Sequence, residues 1–370
     1  MSEWRKFPLG DLVTFLSGGT PSKMNPSFWN GDVPWISART MKNERISTSE
    51  LMITEEGLIA GSKLAPTGSL LLLIRGSGLF NGIPLCIVER PVAFNQDIKC
   101  IESKSDVSNR FIFYWLKSQE RYLRDKLDVT GIGAGKFDTR FLQELIVLVP
   151  PSNVRERIVA IADAISEQIV TNTKINDNLQ QQAQAIYASM FIDNADPAWE
   201  RGHLSDLITV KYGKDHKKLA DGGYPVYGSG GIMRHVERPL YDKESVLIPR
   251  KGTLNNVMYV NQPFWSVDTM FYTEMRLPNV AKFVYHFVKA KDLASMNAGS
   301  AVPSMTTDIL NAMEVAIPSA SALEEFEVLV APMYKAMQEN DNQSETLAKL
   351  RDALLPKLMS GEIDVSDIQL

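Results

Sequence analysis

Residues 4–13 read WRKFPLGDLV, and residues 199–208 read WERGHLSDLI. The Trp, the Asp and the two Leu of the first stretch return in the second at one offset of 195 residues, from Trp4 to Trp199. A second match joins LQELIVLVP at residues 142–150 to LNAMEVAIP at residues 310–318. The copies lie much farther apart than the roughly 20 to 50 residues of a solenoid repeat, so the chain contains a duplicated pair of domains.

A helical stretch of about forty residues follows each copy of the second match. We therefore predict four segments: a globule over residues 1–151, a helix over 152–194, a globule over 195–318 and a helix over 319–370. The predicted fold class is α+β, in which two globules of mixed α/β structure alternate with two long helices. The helices are expected to pair as an antiparallel coiled coil, which makes the internal repeat pseudo-twofold.

Length and composition indicate the class of protein. The 370 residues are 44% hydrophobic, which is enough for two cores of ordinary domain size. No apolar run approaches the roughly 20 residues of a membrane span, and the first six residues do not resemble a secretory signal. Cys86 and Cys100 lack metal-site spacing and are expected to be buried thiols. We expect a soluble, cytoplasmic protein without a disulfide frame or a zinc site.

The net charge of −5 is unevenly distributed. Residues 1–150 hold 18 Lys and Arg against 16 Asp and Glu, and residues 199–318 hold 14 against 12. Residues 151–198 hold 3 against 6, and residues 319–370 hold 4 against 10. The acidity therefore lies on the helices, which favours protein partners for them, whereas the slightly basic globules are compatible with nucleic-acid binding.

Both helical stretches carry a seam of mainly apolar residues at a spacing of seven. The seam positions include Ile158, Ile165, Asn172, Ile175, Leu179 and Ile186 in the first helix, and Phe326, Met333, Asn340, Leu347 and Leu354 in the second. Asn172 and Asn340 are equivalent, and a buried Asn fixes the register of a coiled coil because it needs a polar partner. Two alternatives stay open: an exposed Asn at a bent seam, and a helix that folds back on its own globule.

Four motifs resemble those of the specificity (S) subunits of type I restriction–modification systems and follow the same order. They are PLGD…SGGTPS over residues 8–22 with WNGDVPWI at 29–36, AFNQDI at 93–98, PP…RERI over 150–158, and LAKLRDALLPKLMSGEI at 347–363. The family often has Glu-Gln before the Ile of the third motif, which is a minor departure. The resemblance covers the whole chain, including the duplication and both helices.

This resemblance implies a fold and a set of partners. Two target-recognition domains of mixed α/β structure would each read half of a split double-stranded DNA sequence. The helices would set the gap between the half-sites and recruit two methyltransferase subunits. The methyltransferase would use S-adenosylmethionine and a restriction subunit would use ATP and Mg, whereas this chain would hold no cofactor. Whether a restriction subunit belongs to the complex stays open.

The sequence contains no constellation with catalytic chemistry of its own. The Asn/Asp-Pro-Pro-Tyr/Phe motif of adenine methyltransferases is absent. The glycine-rich stretch 131–135 follows a helical pattern rather than a strand, and its counterpart at 298–305 loses the glycines, so a loop is favoured over a cofactor cradle. Asp97-Ile98-Lys99 matches half of a nuclease motif, but Asp268 in the second half lacks the Lys. We expect a non-catalytic subunit without a metal site.

Candidate DNA contacts are polar or basic side chains in loops at strand ends, because such groups reach base edges and phosphates. In the first globule they are Thr20, Ser22, Lys23, Ser37, Arg39, Lys42, Arg75, Ser77, Asn81 and Lys136. In the second they are Lys211, Lys214, Lys217, Lys218, Tyr227, Ser229, Arg234, Arg250, Lys251, Asn255 and Asn256, with Arg250 and Lys251 in the place of Arg75. For each, a solvated loop residue is an equal alternative. Gln96, Asp97 and Asp268 recur in both halves, which favours a structural role.

Two other functions compete with DNA specificity. A coiled-coil interaction scaffold without DNA readout would use only the helices, and tight DNA binding by the chain with its partner would exclude it. A self-contained restriction–modification enzyme is disfavoured by the missing methyltransferase motif.

Overall fold

The computed structural model describes residues 4–131, 133–296, 304–366 and 368. Its contacts divide the chain into two compact units. Unit 1 comprises Met1–Thr171 and Asn342–Leu370, and unit 2 comprises Asn172–Asp341. Each unit therefore contains one globule and a part of each long helix, and the boundaries between the units fall inside the helices.

The described residues of unit 1 form fourteen short strands and five short α-helices before the first long helix. The strands are β1 Arg5–Pro8, β2 Val13–Ser17, β3 Trp29–Ile36, β4 Arg45–Ile46, β5 Met52–Ile53, β6 Leu64–Ala65, β7 Leu70–Leu73, β8 Arg75–Gly76, β9 Leu85–Val88, β10 Val92–Phe94, β11 Ile98–Ser103, β12 Asp128–Val129, β13 Gly135–Lys136 and β14 Ile146–Val149. The helices are α1 Leu9–Leu12, α2 Glu55–Gly61, α3 Asn109–Ser118, α4 Glu120–Asp125 and α5 Thr139–Glu144, followed by the long α6 Ser152–Ala188.

The largest sheet of unit 1 has the order β2-β11-β7-β9-β4. Its central strand β7 consists of four consecutive leucines, all fully buried, because both faces of the sheet are covered. One cover is α3, which begins at the N-cap Ser108 and buries six successive residues. A second sheet has the order β5-β3-β10-β6, and smaller sheets pair β1 with β14 and join β12, β13 and β8.

Unit 2 repeats this arrangement, with fewer elements among its described residues. Its strands are β15 Glu200–His203, β16 Ile208–Tyr212, β17 Tyr224–Gly228, β18 Gly231–Val236, β19 Ser245–Pro249, β20 Met258–Val260, β21 Trp265–Ser266, β22 Met270–Met275 and β23 Glu314–Ile317. Its helices are α7 Leu204–Leu207, α8 Ala281–Lys289, α9 Thr307–Asn311 and the long α10 Ala320–Ser360. The sheet orders are β16-β22-β19-β20, β18-β17-β21 and β15-β23.

The pairing of the strands follows the internal repeat. The antiparallel pair β1–β14 corresponds to β15–β23, and β2–β11–β7–β9 corresponds to β16–β22–β19–β20. In both units the second sheet contains one parallel pair, β3 with β10 and β17 with β21. The duplication read from the sequence is therefore a duplication of topology, and the α+β class is confirmed.

The two long helices pack against each other within each unit. In unit 1, Arg351 of α10 donates to Ser166 of α6 at 3.2 Å. In unit 2, Asn172 of α6 donates to the Asn340 carbonyl at 3.3 Å, and the Tyr187 ring lies 6.2 Å from the Phe326 ring. Contacts move toward the start of α10 as they move along α6, so the helices are antiparallel, as predicted.

The buried face of α6 departs from the predicted seam after Asn172. Ala183 and Tyr187 are buried there, whereas Leu179 and Ile186 are half-buried and Ile175 is exposed. This part of the helix packs on the aromatic core of unit 2, so its inward face follows the 3.6-residue period of a straight helix rather than a heptad.

The other predicted seam positions are all at least half-buried. Ile158, Asn172 and Phe326 are buried, and Ile165, Met333, Asn340, Leu347 and Leu354 are half-buried.

Candidate DNA interface

The loop that follows β2 in unit 1 is held against the turn at residues 95–97. The Gly19 N–H donates to the Phe94 carbonyl at 2.9 Å, and the Thr20 hydroxyl donates to Gln96 Oε1 at 2.7 Å. Gly18 is needed at this crossing because a Cβ there would overlap the Phe94 carbonyl oxygen.

Two further loops reach the same turn. The Asn95 N–H donates to the Ile36 carbonyl at 3.0 Å, which places the loop after β3 beside it. The Arg75 N–H donates to the Asp97 carbonyl at 3.3 Å, which places the loop after β7 there as well. Backbone bonds thus gather three of the loops that carry candidate DNA contacts at one end of the sheets.

Arg75 and Lys136 are cross-strand neighbours at this end, where β8 pairs with β13. Arg75 is exposed and Lys136 is half-buried. Like charges at facing positions of an antiparallel pair repel each other. An anion bound beside either cation would offset this local cost.

The remaining candidates of unit 1 lie in the loops around this turn. Ser77 and Asn81 are exposed in and after the 3₁₀ turn Ser77–Phe80 that follows β8. Arg39 and Lys42 are exposed after β3, with half-buried Ser37 before them. Ser22 and Lys23 are exposed in the loop after β2, where the Ser22 carbonyl accepts from Trp29 Nε1 at 3.1 Å.

Unit 2 gathers its loops in the same way around the turn at residues 266–269. We call the turn at 95–97 or at 266–269, together with the loops bonded to it, the loop end of its unit. The Lys214 N–H donates to the Ser266 carbonyl at 2.8 Å, as Gly19 does to Phe94. The Lys251 N–H donates to the Thr269 carbonyl at 3.1 Å, as Arg75 does to Asp97. Gly213 repeats the crowded position of Gly18, because a Cβ there would overlap the Val267 carbonyl oxygen.

Lys251 is therefore the backbone equivalent of Arg75, and Arg250 precedes it at the equivalent of Ile74. Lys251 is exposed and forms a bridge with Ser304, as Arg75 does with Lys136. Arg250 lies 5.4 Å from the centre of the Tyr212 ring and donates to the Asp268 carbonyl at 3.2 Å. The planar guanidinium is thus oriented by stacking on the ring.

Several predicted contacts in unit 2 have partners inside the unit. Arg234 binds the Asp221 carboxylate at 2.6 Å, Lys211 lies 3.6 Å from Glu274, and Asn255 donates to Asp292 at 3.0 Å. The Asn256 amide donates to the Ser229 carbonyl at 2.8 Å, and the half-buried Tyr227 hydroxyl lies 3.4 Å from the Gln262 amide. These bonds hold the loops in place, whereas the side chains of Lys214, Lys217 and Lys218 are exposed. The stretch 298–305 was predicted as the counterpart of the glycine-rich loop at 131–135, and its residues 298–303 lie outside the described part of the chain.

A buried ion-pair cluster docks the first globule on the long helices. Arg351 of α10 binds Glu44 at 2.7 Å, and Lys117 of α3 binds the same carboxylate at 2.6 Å. Burial raises the pKa of Glu44, but attraction and hydrogen bonds from Lys117 and Arg351 outweigh it, so this pKa lies below its usual value. The carboxylate therefore stays ionised and holds both cations.

Unit 2 is docked by a different set of groups. Lys282 of α8 lies 3.0 Å from Glu244 and 2.7 Å from Glu327 of α10. The fully buried His286 hydrogen-bonds Gln184 of α6 at 2.8 Å and Tyr334 of α10 at 2.9 Å. Burial, helped by the charge of Lys289, lowers the pKa of His286 to about 4, so the ring is neutral at pH 7.

Sequence reasoning missed these docking groups and also missed two exposed apolar residues, Ile232 and Met233, on β18. Glu44, Arg351 and Lys282 look like ordinary surface charges because their partners lie far away in the chain. Ile232 and Met233 look like core residues, because hydrophobic side chains in a strand are usually buried. No local sequence pattern distinguishes these docking residues from ordinary surface charges, or the exposed apolar pair from core residues.

Both cysteines are buried, as predicted, and burial raises the pKa of the Cys86 thiol to about 12 and that of Cys100 to about 11.

In the described part of the chain, no helix is long and apolar enough to cross a membrane.

Comparison with known proteins identifies relatives of the chain. The profile of the family described as "Type I restriction modification DNA specificity domain" matches residues 1–181 and 197–342. The specificity subunit of the type I restriction enzyme MjaIX from Methanocaldococcus jannaschii is 23% identical over 99% of this chain and 95% of its own. That of EcoprrI from Escherichia coli is 24% identical over 88% of both chains. The crystal structure of the type I system S subunit from M. genitalium aligns with a TM-score of 0.53 at 16% identity, covering 96% of both chains.

Proposed function

This chain belongs to the type I restriction–modification DNA specificity family, and on that premise we propose that its two loop ends each read one half of a split double-stranded DNA site. The chain is the specificity subunit, a non-catalytic component of its enzyme complex. The observation that supports our proposal is the repeated loop end, at residues 95–97 in unit 1 and 266–269 in unit 2.

Each loop end combines basic groups suited to phosphates with groups suited to base edges. In unit 1 we assign Lys136 to a phosphate and Arg75 to a base edge, because Arg75 is more exposed and its fork can bind two acceptors of a guanine. In unit 2 we assign Lys251 to a phosphate and Arg250 to a base edge, because stacking on Tyr212 orients the Arg250 fork. The exposed Lys214, Lys217 and Lys218 belong to a loop of the same end in unit 2.

The partners follow from the same premise. The acidic, antiparallel helices would recruit methyltransferase subunits and set the gap between the half-sites. The methyltransferase would bring S-adenosylmethionine, and a restriction subunit would bring ATP and Mg, so the complex would work on DNA in the cytoplasm. This chain would itself supply only recognition.

Co-expression with the methyltransferase subunit of the same system, in a host without DNA methylation, tests the proposal. Long-read sequencing should reveal N6-methyladenine in one motif with two short specified halves around a fixed gap. The same host carrying the methyltransferase alone is the control. Absence of new methylation, with the two proteins shown to co-purify, would refute DNA readout. It would favour the alternative function, a coiled-coil scaffold that binds protein through its helices.

A further inference from the structure

The hairpin formed by β17 and β18 presents two successive apolar side chains to solvent. Ile232 is 54% exposed and Met233 is 61% exposed. Alternation along a strand normally sends neighbouring side chains to opposite faces. Here the register shifts, so that Val226 faces Arg234 while Tyr227 faces Ile232, and Met233 is the extra residue of a β-bulge. Bulges commonly redirect a side chain next to a functional site.

Among the described residues, these apolar side chains of the end strand are exposed in unit 2, whereas the equivalent strand of unit 1 is packed by a helix. β18 is the end strand of the sheet β18-β17-β21. The corresponding end strand of unit 1, β5, is packed by α2, whose Leu58 joins the cluster of Trp35 and Ile53. Exposed apolar side chains on an end strand favour association with a partner, so they suit a binding surface.

The hairpin tip belongs to the loop end that we assign to DNA. The Ser229 carbonyl at the tip accepts a hydrogen bond from Asn256, in the loop that carries Arg250 and Lys251. The Met233 side chain lies against Gly228, whose other neighbour is Val267 in the turn at 266–269. The apolar pair therefore lies beside the basic loops.

The charges around the hairpin suit a phosphate backbone. Lys217 and Lys218 are exposed in the loop whose Leu219 carbonyl accepts from Arg234 of β18. Lys251 is exposed on the other loop, with Asp268 as an exposed carboxylate near it. Arg234 of β18 is bound to Asp221, so its guanidinium is already engaged, whereas His235 of the same strand is exposed.

We propose that the β17–β18 hairpin enters the major groove and that Met233, supported by Ile232, contacts the 5-methyl group of a thymine in one half-site. A two-stranded ribbon fits the major groove, and the thymine methyl is the apolar group exposed on its floor. The inference rests on the proposed function. It adds to that function an apolar side chain that contacts a base, and it identifies that base as thymine.

Deoxyuridine provides the test, because it removes only the methyl group and keeps base pairing. The complex of the full chain with its methyltransferase is titrated with duplexes of the mapped motif in which each thymine is replaced in turn. Wild type should bind about three- to tenfold more weakly at one thymine of one half-site, the loss expected for one buried methyl. Met233→Ala should bind the unmodified thymine duplex as weakly as wild type binds the deoxyuridine duplex. It should bind both duplexes with equal affinity.

Matched variants separate this contact from a general effect. Met233→Leu should keep the discrimination, and Leu277→Ala, at an exposed apolar residue just beyond the other end of β22, should behave as wild type. A mapped motif at which no thymine replacement weakens wild-type binding, or at which Met233→Ala still discriminates, overturns the proposal. So does loss of co-purification with the methyltransferase on Met233→Asp, which would make the hairpin a protein contact. Absence of any motif would instead refute the proposed function.

Discussion

Lys136 is the residue at which a phosphate role can be tested with least disturbance. It is half-buried at the loop end of unit 1, opposite Arg75 on the neighbouring strand. We expect Lys136→Ala to weaken binding to all duplexes by a similar factor and to lower the slope of log K against log salt by about one, because one fewer counterion is released.

Fluorescence anisotropy of the methyltransferase complex at several salt concentrations measures both quantities. Lys104→Ala is the matched control, because it removes the same charge next to Ser103, at the end of β11 remote from the loop end. A loss confined to duplexes with one particular base pair would make Lys136 a base reader and contradict the assignment.

His286 makes the stability of unit 2 depend on pH. Burial, helped by Lys289, lowers its pKa to about 4 from the ordinary 6.5, so the unfolded chain binds the proton more tightly. The contribution of the neutral ring is complete above pH 6.5 and is lost as the pH falls toward 4. We expect His286→Gln to remove roughly 3 kcal/mol of the decrease in unfolding free energy across this range.

Urea unfolding of wild type and variant between pH 7 and pH 4 provides the comparison. His235→Gln serves as the control, because His235 is exposed on β18. Parallel pH profiles for wild type and His286→Gln would show that the ring is not held neutral.

At the scale of elements, the docking of globules on helices depends on a few buried charges. Arg351 is 5% exposed and binds Glu44, Asp352 and Ser166. Arg351→Met keeps the aliphatic stem but leaves Glu44 with only Lys117 as partner. We expect a loss of about 2 kcal/mol from the unfolding free energy of unit 1, because a buried carboxylate loses a charged partner.

Denaturant unfolding measures this loss, and Lys349→Met gives the comparison two residues away. Lys349 is exposed and pairs with Glu345 on the same helix, so its replacement should change the free energy by less than about 0.5 kcal/mol. Equal effects of the two variants would mean that the Glu44 pair does not dock the globule.

The two long helices show how much of an element a sequence pattern predicts. The long helices and their equivalent Asn residues were predicted from a seven-residue spacing, and Asn172 is buried with a hydrogen bond to Asn340. Beyond that point the seam was wrong at Ile175, which is exposed, and it left out Tyr187, which is buried. A periodicity identifies a helix with an apolar side, but the partner decides which residues face inward.

For the whole molecule, the duplication predicts that the two halves of the recognised motif can be altered separately. We expect Arg75→Ala to relax one specified position in one half, and Arg250→Ala to relax one position in the other, each at about 1–3 kcal/mol. The reason is that each Arg belongs to the loop end of a different unit.

Methylation mapping with each variant in the methylation-free host measures the change. The half-site read by the unchanged unit is the internal control in each experiment. Relaxation of both halves by either single variant would contradict the assignment of one unit to one half-site.

The sequence by itself determined the repeat, the α+β class, the antiparallel helices and the family, because these depend on local patterns and on motifs that recur in order. It also indicated the loops at the strand ends. Only the tertiary structure decided which loop residues gather at one end, and it showed that Arg234 and Asn255 are bound inside unit 2 whereas Lys251 takes the place of Arg75. The physical reason is that a hydrogen bond, an ion pair or an exposed bulge depends on a partner distant in the chain, and no periodicity in the sequence records that partner.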